Sequence, residues 1–355
     1  MARDSRYEFL DVLKGIAIIL MIQIHCMGWW LDKPLRELPL FSISLTLGWF
    51  AAPIFLFVVG CALAISIENR RRRGQPHRAI AIHILVRGVL IFLGGYALNF
   101  VTFAGTPRSD LQSVGVLQCI GLTIIAGYVA ARWLPVFVSS LIAMGIILLT
   151  PVLRDHNVLG AIPVQGLIVN VPFQSNYALF PFAAYVLLGI DVGKLFLKTS
   201  SDQRKLGALF AVLFLLGAAA AGICGKLLVD DLFTQSAGKF PEEVDVQKAV
   251  WYPLPVFIFF HCGCVLIEFA ALGWLMHLKD VKSAIWRPLT MTGRAALVIF
   301  VGHHILGYRI VHSLGGMDRE YGTLSLATSM GGVLLMLIAS WIYAEWWVRF
   351  KSKSP

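Results

Sequence analysis

The stretch Phe9–Trp30, FLDVLKGIAIILMIQIHCMGWW, decides the fold class of this chain. It is an almost unbroken apolar run, close to the roughly 20 residues that an α-helix needs to cross a bilayer. Similar runs recur at short intervals along the 355 residues, of which 58% are hydrophobic and only 14% are charged. A soluble domain carries about 25% charged residues, and a bilayer forces each spanning segment to pair its own backbone polar groups. We therefore predict an all-α, polytopic membrane helix bundle.

The apolar runs can be separated into about ten transmembrane helices within a single domain over residues 1–355. Asp11 and Lys14 enter the first run and no small-residue cleavage site follows it, so we interpret it as a retained helix rather than a signal peptide. A tight turn near Arg132 and Trp133 separates the fourth and fifth spans. The predicted spans are 9–30, 47–67, 80–103, 113–131, 133–153, 176–197, 207–229, 251–276, 289–311 and 324–348.

The basic residues predict the orientation of these helices. The formal net charge is +10, and most of the excess lies in short loops, which indicates topology rather than a nucleic-acid partner. If the spans alternate, the basic loops fall on one side and place both chain ends in the cytoplasm. These loop residues are Arg70–Arg73, Arg78, Lys194, Lys198, Arg204, Lys205, Lys279, Lys282, Arg287, Lys351 and Lys353.

Polar side chains inside a span are costly and mark a functional site by default. Lys14 and His25 are eleven residues apart, which puts them within about 20° of one face of a helix and about 16 Å apart along its axis. One face of the first helix thus carries a cation at its inner end and an imidazole in its outer half. The same pattern places Trp29 and Trp30 in the aromatic belt at the outer interface.

Five further polar side chains lie at a depth similar to that of His25, and we predict a polar chamber in the outer half of the membrane. They are Asn99, Gln118, His261, His303 and His304. For Asn99, Gln118, His261 and His304, a structural hydrogen bond is the favoured interpretation and a functional role is the alternative. Arg294 precedes His303 by nine residues and would lie on the opposite face of a continuous helix.

Five segments, in the same order along the chain, resemble the heparan-α-glucosaminide N-acetyltransferase family. They are Asp11–Met21, Ala52–Gly60, Gly115–Thr123, Leu188–Lys194 and Gly293–His303. The first helix is also similar to the wider bacterial membrane acyltransferases, in which ten residues separate a basic residue from a histidine. Lys14 and His25 have that spacing.

The resemblance implies an acetyl-CoA-dependent transmembrane acetyltransferase in the bacterial inner (plasma) membrane. Such an enzyme takes acetyl-CoA from the cytosol and acetylates an amino sugar or glycan on the far side. We accordingly expect acetyl-CoA, the acceptor and the lipid bilayer as partners, with no metal and no nucleic acid, and a homodimer as a candidate assembly. A proton-coupled membrane transporter that uses the intramembrane histidines is the alternative function.

The resemblance also suggests roles for individual residues. His25 is the expected base or acyl acceptor, and His303, which matches a family histidine, is its partner. Lys14 is expected to bind the CoA phosphates, and Gln118 and Asn99 to line the acyl path. The family has its catalytic histidine in the loop after the first helix, but residues 26–47 contain none. The assignment of His25 therefore follows the wider acyltransferase pattern.

Overall fold

The protein is described by a computed structural model that covers residues 7–103, 111–155, 165–169, 177–235, 254–278, 284–312 and 322–353. Helices make up nearly all of this part, which confirms the all-α class. In chain order they are α1 (Glu8–Trp30), α2 (Pro39–Gly48), α3 (Ala51–Arg72), α4 (His77–Thr102), α5 (Val116–Trp133), α6 (Val138–Asp155), α7 (Leu179–Thr199), α8 (Gln203–Gln235), α9 (Pro255–Leu272), α10 (Trp286–Arg294), α11 (Ala296–His304) and α12 (Leu326–Lys353).

Several of these helices present apolar side chains to their surroundings, as expected in lipid. Leu90 of α4, Leu215 of α8 and Leu335 of α12 are 63%, 67% and 69% exposed. In the described ranges, eight helices are long and apolar enough to span a membrane, or nine if α10 and the helix that follows it form one broken span. The protein is therefore a multi-pass membrane protein.

The predicted spans differ from the observed helices at two places. The predicted fifth span, 133–153, corresponds to α6, whose apolar part Val138–Arg154 is shorter than the eight spanning helices. The predicted ninth span, 289–311, is bent by 79°. The bend lies at Ala295, whose φ of −102° and ψ of 12° interrupt the helical backbone between α10 and α11. Lys279 and Lys282, which contribute to the orientation argument, lie outside the described residues, as do residues 251–253 of the predicted eighth span.

The chain folds as two compact units. Unit one falls within Leu56–Ala97 and Pro107–Leu278, and unit two within Ser5–Phe55, Leu98–Thr106 and Lys279–Pro355. In unit one, the rings of Phe57, Phe196 and Phe210 surround that of Phe269, with centroids 5.6, 6.2 and 6.0 Å away. In unit two, α1 packs against α10 and α12, and its inward side chains are fully buried.

Glycines allow the helices to approach closely enough for backbone contact. In unit two, a Cβ on Gly15 would collide with the backbone of Leu289, and a Cβ on Gly293 would collide with the backbone of Asp11. Small residues that let two backbones meet are the usual basis of helix packing in membranes, because lipid offers no hydrophobic drive for association. Equivalent contacts in unit one involve Gly60 with Val186, Gly189 with Phe57, and Gly121 with Gly88 and Phe92.

The turn between α5 and α6 is held by two side chains of α7. Lys194 Nζ donates hydrogen bonds to the carbonyl oxygens of Ala130 and Leu134, both at 2.8 Å, where α5 ends. Asp191 Oδ2 accepts from the backbone N–H and the hydroxyl of Ser140, at 2.8 and 2.9 Å, in the first turn of α6. A cation at a helix C-terminus and an anion at an N-terminus both complement the helix dipole. The tight turn predicted near Arg132 therefore separates two helices, as expected.

The location of the chain ends depends on whether the number of crossings is even. If the bent pair α10–α11 is re-entrant and α6 does not cross, eight spans leave both ends on one side. If α6 and the bent pair both cross, the ten spans also leave both ends on one side. We expect a green fluorescent protein fused to the C-terminus to fluoresce and an alkaline phosphatase fused there to be inactive. The opposite result would place the C-terminus outside the cytoplasm and contradict the predicted cytoplasmic C-terminus.

Gly293→Ala should destabilise the protein because its methyl group would enter the backbone of α1. Overpacking a filled contact costs about 1–3 kcal/mol, which we expect to lower the thermal unfolding midpoint of the purified protein. Gly331→Ala is the matched control, because nothing lies within 4 Å of a Cβ there and alanine is favoured over glycine in helices by about 0.5–1 kcal/mol. Equal midpoints for the two variants would refute the role of Gly293 in this crossing.

Candidate functional site

The C-terminal part of α1 positions His25. Trp29, one turn further along, stacks on the imidazole with ring centroids 5.2 Å apart. The next residue, Trp30, is buried, and its indole Nε1 donates a hydrogen bond to the carbonyl oxygen of Gly307 at 2.9 Å. Gly307 belongs to the π-helical segment Ile305–His312 that continues α11. The two tryptophans that the sequence pattern assigns to the interface belt therefore hold α1 and the end of α11 together.

Two side chains that follow α1 in the sequence, Arg36 and Ser44, form further hydrogen bonds to the half of α1 that carries His25. The guanidinium of Arg36 donates to the carbonyl oxygens of Gly28, at 2.5 Å, and Leu31, at 3.3 Å, so a cation satisfies carbonyls at the helix C-terminus. Gln23 Nε2 donates to the carbonyl oxygen of Ser44 at 2.6 Å, while the Ser44 hydroxyl donates back to Gln23 Oε1 at 2.7 Å. Both contacts restrict the rotation of the helix that carries His25.

His25 forms a hydrogen-bonded pair with His303 of α11. The distance from His25 Nδ1 to His303 Nε2 is 3.0 Å, and the two ring planes are 9° apart. His303 is buried, whereas His25 is half-buried. The structure thus brings together the two histidines that the sequence identifies as catalytic candidates, although 278 residues separate them.

The hydrogen-bond partners determine which nitrogen of each ring carries the proton. His303 Nδ1 lies 3.1 Å from the carbonyl oxygen of Ile299, and a carbonyl can only accept, so Nδ1 is the protonated nitrogen. In the neutral ring, Nε2 of His303 then accepts, and His25 Nδ1 donates to it. The second nitrogen of His25, Nε2, is left with a free lone pair. A hydrogen-bonded partner sets the reactive tautomer of histidine in this way.

His304 is a third member of this cluster. Its ring centroid lies 4.3 Å from that of His303 and 5.0 Å from that of His25. Its Nδ1 contacts the carbonyl oxygen of Phe300 at 3.0 Å, which leaves Nε2 with a lone pair. One nitrogen from each of the three histidines lies within 4.8 Å of the others. Sequence reasoning favoured a structural role for His304, and the adjacent His303–His304 dipeptide was the signal that could have indicated otherwise.

The N-terminal end of α1 carries a charged cluster. Lys14 Nζ lies 2.6 Å from Asp11 Oδ1, and Arg294 Nε lies 3.3 Å from Asp11 Oδ2. Asp11 is buried, while the side chains of Lys14 and Arg294 are 24% and 26% exposed. One carboxylate between two cations leaves these three side chains with one net positive charge. Arg294 and His303 lie apart, as the sequence predicts. The reason differs from the prediction: they are not on opposite faces of one continuous helix, because the helix breaks at Ala295 and Arg294 pairs with Asp11.

The other predicted site residues occupy different places. Asn99 is buried in unit two, near the end of α4. Gln118 is buried in unit one, where its Oε1 accepts from the backbone N–H of Gly115 at 3.1 Å and its Nε2 has no hydrogen-bond partner in the described part of the chain. His261, also in unit one, contacts the carbonyl oxygen of Phe257 at 2.8 Å. The structure shows the three histidines of unit two as one cluster, and Gln118 and His261 belong to the other unit.

The fold and the site define a polytopic membrane protein with a hydrogen-bonded histidine pair among its helices. A sequence model of the family described as heparan-alpha-glucosaminide N-acetyltransferase, catalytic, matches residues 6–224, which is more than half of the chain. The chain therefore belongs to this family, which confirms the resemblance and implies a membrane acetyltransferase. A comparison with curated proteins finds no match. The matched region contains Lys14, His25 and Gln118, whereas His303 lies beyond it.

Proposed function

We propose that this protein transfers an acetyl group from cytosolic acetyl-CoA to an amino sugar or glycan at the extracytoplasmic side of the bacterial inner membrane. The observation that supports this proposal most strongly is the pair His25–His303, with its 3.0 Å hydrogen bond. It places an imidazole lone pair, on His25 Nε2, inside a membrane protein of an acetyltransferase family. His25 is the catalytic residue of the proposal, and His303 holds its tautomer.

The lone pair of His25 Nε2 serves either of two routes. As a general base, it takes a proton from the acceptor amine while the amine nitrogen bonds to the thioester carbonyl carbon and the C–S bond breaks. The imidazolium then returns that proton to the CoA thiolate. As a nucleophile, Nε2 itself bonds to the carbonyl carbon and CoA leaves as a thiolate; the acceptor amine then displaces the acetyl group from the imidazole, and the proton that the amine loses passes to the CoA thiolate. In both routes His25 becomes positively charged, and its Nδ1–H donates to the neutral His303 Nε2.

The charged cluster at the other end of α1 suits the phosphates of CoA. Asp11, Lys14 and Arg294 together carry one net positive charge, and both cations are partly exposed. The axial distance from Lys14 to His25 is about 16 Å on an α-helix, which an extended pantetheine arm can cover. Gln118 Nε2, in unit one, is a buried donor without a partner among the described residues, and its role on the acyl path stays a prediction from the sequence. We place Asn99 along the same path.

His25→Ala should lower acetyl transfer by about 10²–10⁴-fold, the contribution of a positioned general base. His303→Phe should cause a smaller loss, because it removes the orientation of His25 but not its lone pair. The assay uses membranes that contain the variant, radiolabelled acetyl-CoA and glucosamine as the acceptor. His261→Ala is the matched control, since it also deletes a buried imidazole that contacts a backbone carbonyl. Full activity in a folded His25→Ala protein would refute the assignment.

Acetyl-CoA should raise the thermal unfolding midpoint of the detergent-purified protein in a saturable manner. A ligand at 100 times its Kd stabilises the folded state by about 2.7 kcal/mol. We expect a weaker response in Lys14→Ala, because a cation near the phosphates is lost. Lys205→Ala is the control, since Lys205 also pairs with an aspartate three residues earlier but is 71% exposed.

A proton-coupled transporter predicts a different result in this experiment. Its intramembrane histidines would relay protons and need no CoA ester. Absence of a shift with acetyl-CoA and with longer acyl-CoAs, in protein that unfolds cooperatively, would therefore favour the transporter.

A further inference from the structure

We propose that His25, His303 and His304 form a binding site for a zinc ion, and that the ion inhibits transfer. One nitrogen of each ring lies within 4.8 Å of the others, and His25 Nδ1 and His303 Nε2 are 3.0 Å apart. Zinc binds imidazole nitrogen at about 2.0–2.1 Å, so small rotations of the rings suffice to place the three nitrogens around one ion. This inference revises the sequence-based expectation that no metal is involved.

The hydrogen bonds around the cluster favour metal binding. Histidines that ligate a metal usually donate their second ring N–H to a carbonyl or carboxylate, which fixes the ring and its tautomer. His303 and His304 both contact the carbonyl oxygen four residues earlier through Nδ1, at 3.1 and 3.0 Å. Their Nε2 atoms therefore carry lone pairs before any ion arrives. Only His25 has to change, by moving its proton from Nδ1 to Nε2.

The donor set selects the type of ion. Three neutral imidazoles suit zinc and similar transition metals, whereas magnesium and calcium require oxygen ligands. The three-histidine group contains no carboxylate. Three histidines occupy three of the four positions that tetrahedral zinc prefers, and the fourth remains for water. His25 and His304 are half-buried, whereas His303 is buried.

The inhibitory effect rests on the proposed function. The hydrogen bond between His25 and His303 requires a proton on His25 Nδ1, and metal binding requires a lone pair on the same atom. The two states exclude each other. In the zinc-bound state, the proton on His25 Nε2 occupies the position of the lone pair that would attack the thioester or accept the proton of the acceptor. The zinc-bound protein is therefore inactive as a transferase.

Metal binding is tested on the purified full-length protein without a histidine tag. The protein is first freed of metal with a chelator and titrated with Co²⁺, which gives visible absorption bands in tetrahedral sites, and Zn²⁺ is then added as competitor. We expect about one Co²⁺ per chain, displaced by Zn²⁺. His304→Phe keeps an aromatic ring against Phe300 and Trp29 but removes both nitrogens. It should weaken Co²⁺ binding by about 100-fold or more, because loss of an outer partner of a ligand already costs about 10–100-fold.

His261→Phe is the control for this titration, since it removes an intramembrane histidine of unit one and should leave the Co²⁺ spectrum unchanged. Absence of tetrahedral Co²⁺ bands in the wild-type protein, or equal binding by His304→Phe, would refute the metal site. Because the spectrum is independent of catalysis, a protein that binds Co²⁺ but transfers no acetyl group would refute only the proposed function.

The inhibitory effect is measured on the active wild-type enzyme. We expect Zn²⁺ to stop acetyl transfer and the chelator to restore it. Transfer that continues at full rate when Zn²⁺ saturates the site would contradict the inhibition while leaving the site itself intact.

Discussion

The crossing of α1 and α10 brings two helix backbones into contact at Gly15 and Gly293, with no side chain between them. In a membrane, where burial of apolar surface gives no drive for helix association, such close packing supplies much of the attraction. The contact also sets the distance between α1 and the start of α11, and His25 and His303 lie on these two helices. Their 3.0 Å hydrogen bond depends on this crossing and on the anchoring of Trp30 to Gly307.

Polar groups are costly in a membrane, and those at the two ends of α1 are stabilised in different ways. At the N-terminal end, the buried carboxylate of Asp11 is paired with Lys14 and Arg294, since an unpaired buried charge is too costly. At the C-terminal end, three imidazoles that can be neutral lie together: His25 and His303 share a hydrogen bond, and His303 and His304 each contact a backbone carbonyl. A neutral cluster with lone pairs can react with a substrate or bind an ion, whereas the ion-paired end can only attract the charge of a ligand.

The segments that resemble the transferase family prove to be mainly points of helix packing. Each contains a glycine at a close backbone contact, and these are Gly15, Gly60, Gly121, Gly189 and Gly293. The segment Leu188–Lys194 also contributes Asp191 and Lys194, which hold the turn between α5 and α6. The family resemblance therefore reports first on how the helices pack. The segment Gly293–His303 also ends on the histidine that forms a hydrogen bond with His25.

The sequence by itself determined the all-α membrane class, most of the spans, the family and the two histidines that pair. The class and the spans could be predicted because the bilayer imposes one length and one composition on every span. The two histidines could be predicted because an ionisable side chain inside a span is costly and marks a functional site by default. Three features could not be derived from it: the 79° bend at Ala295, the charge cluster around Asp11, and the participation of His304. Only the tertiary structure decided these: the pairing of Asp11 with Arg294 and the approach of His304 to His25 join residues more than 270 positions apart in the sequence, and the bend is a break in the backbone at Ala295 inside an apolar run that reads as continuous.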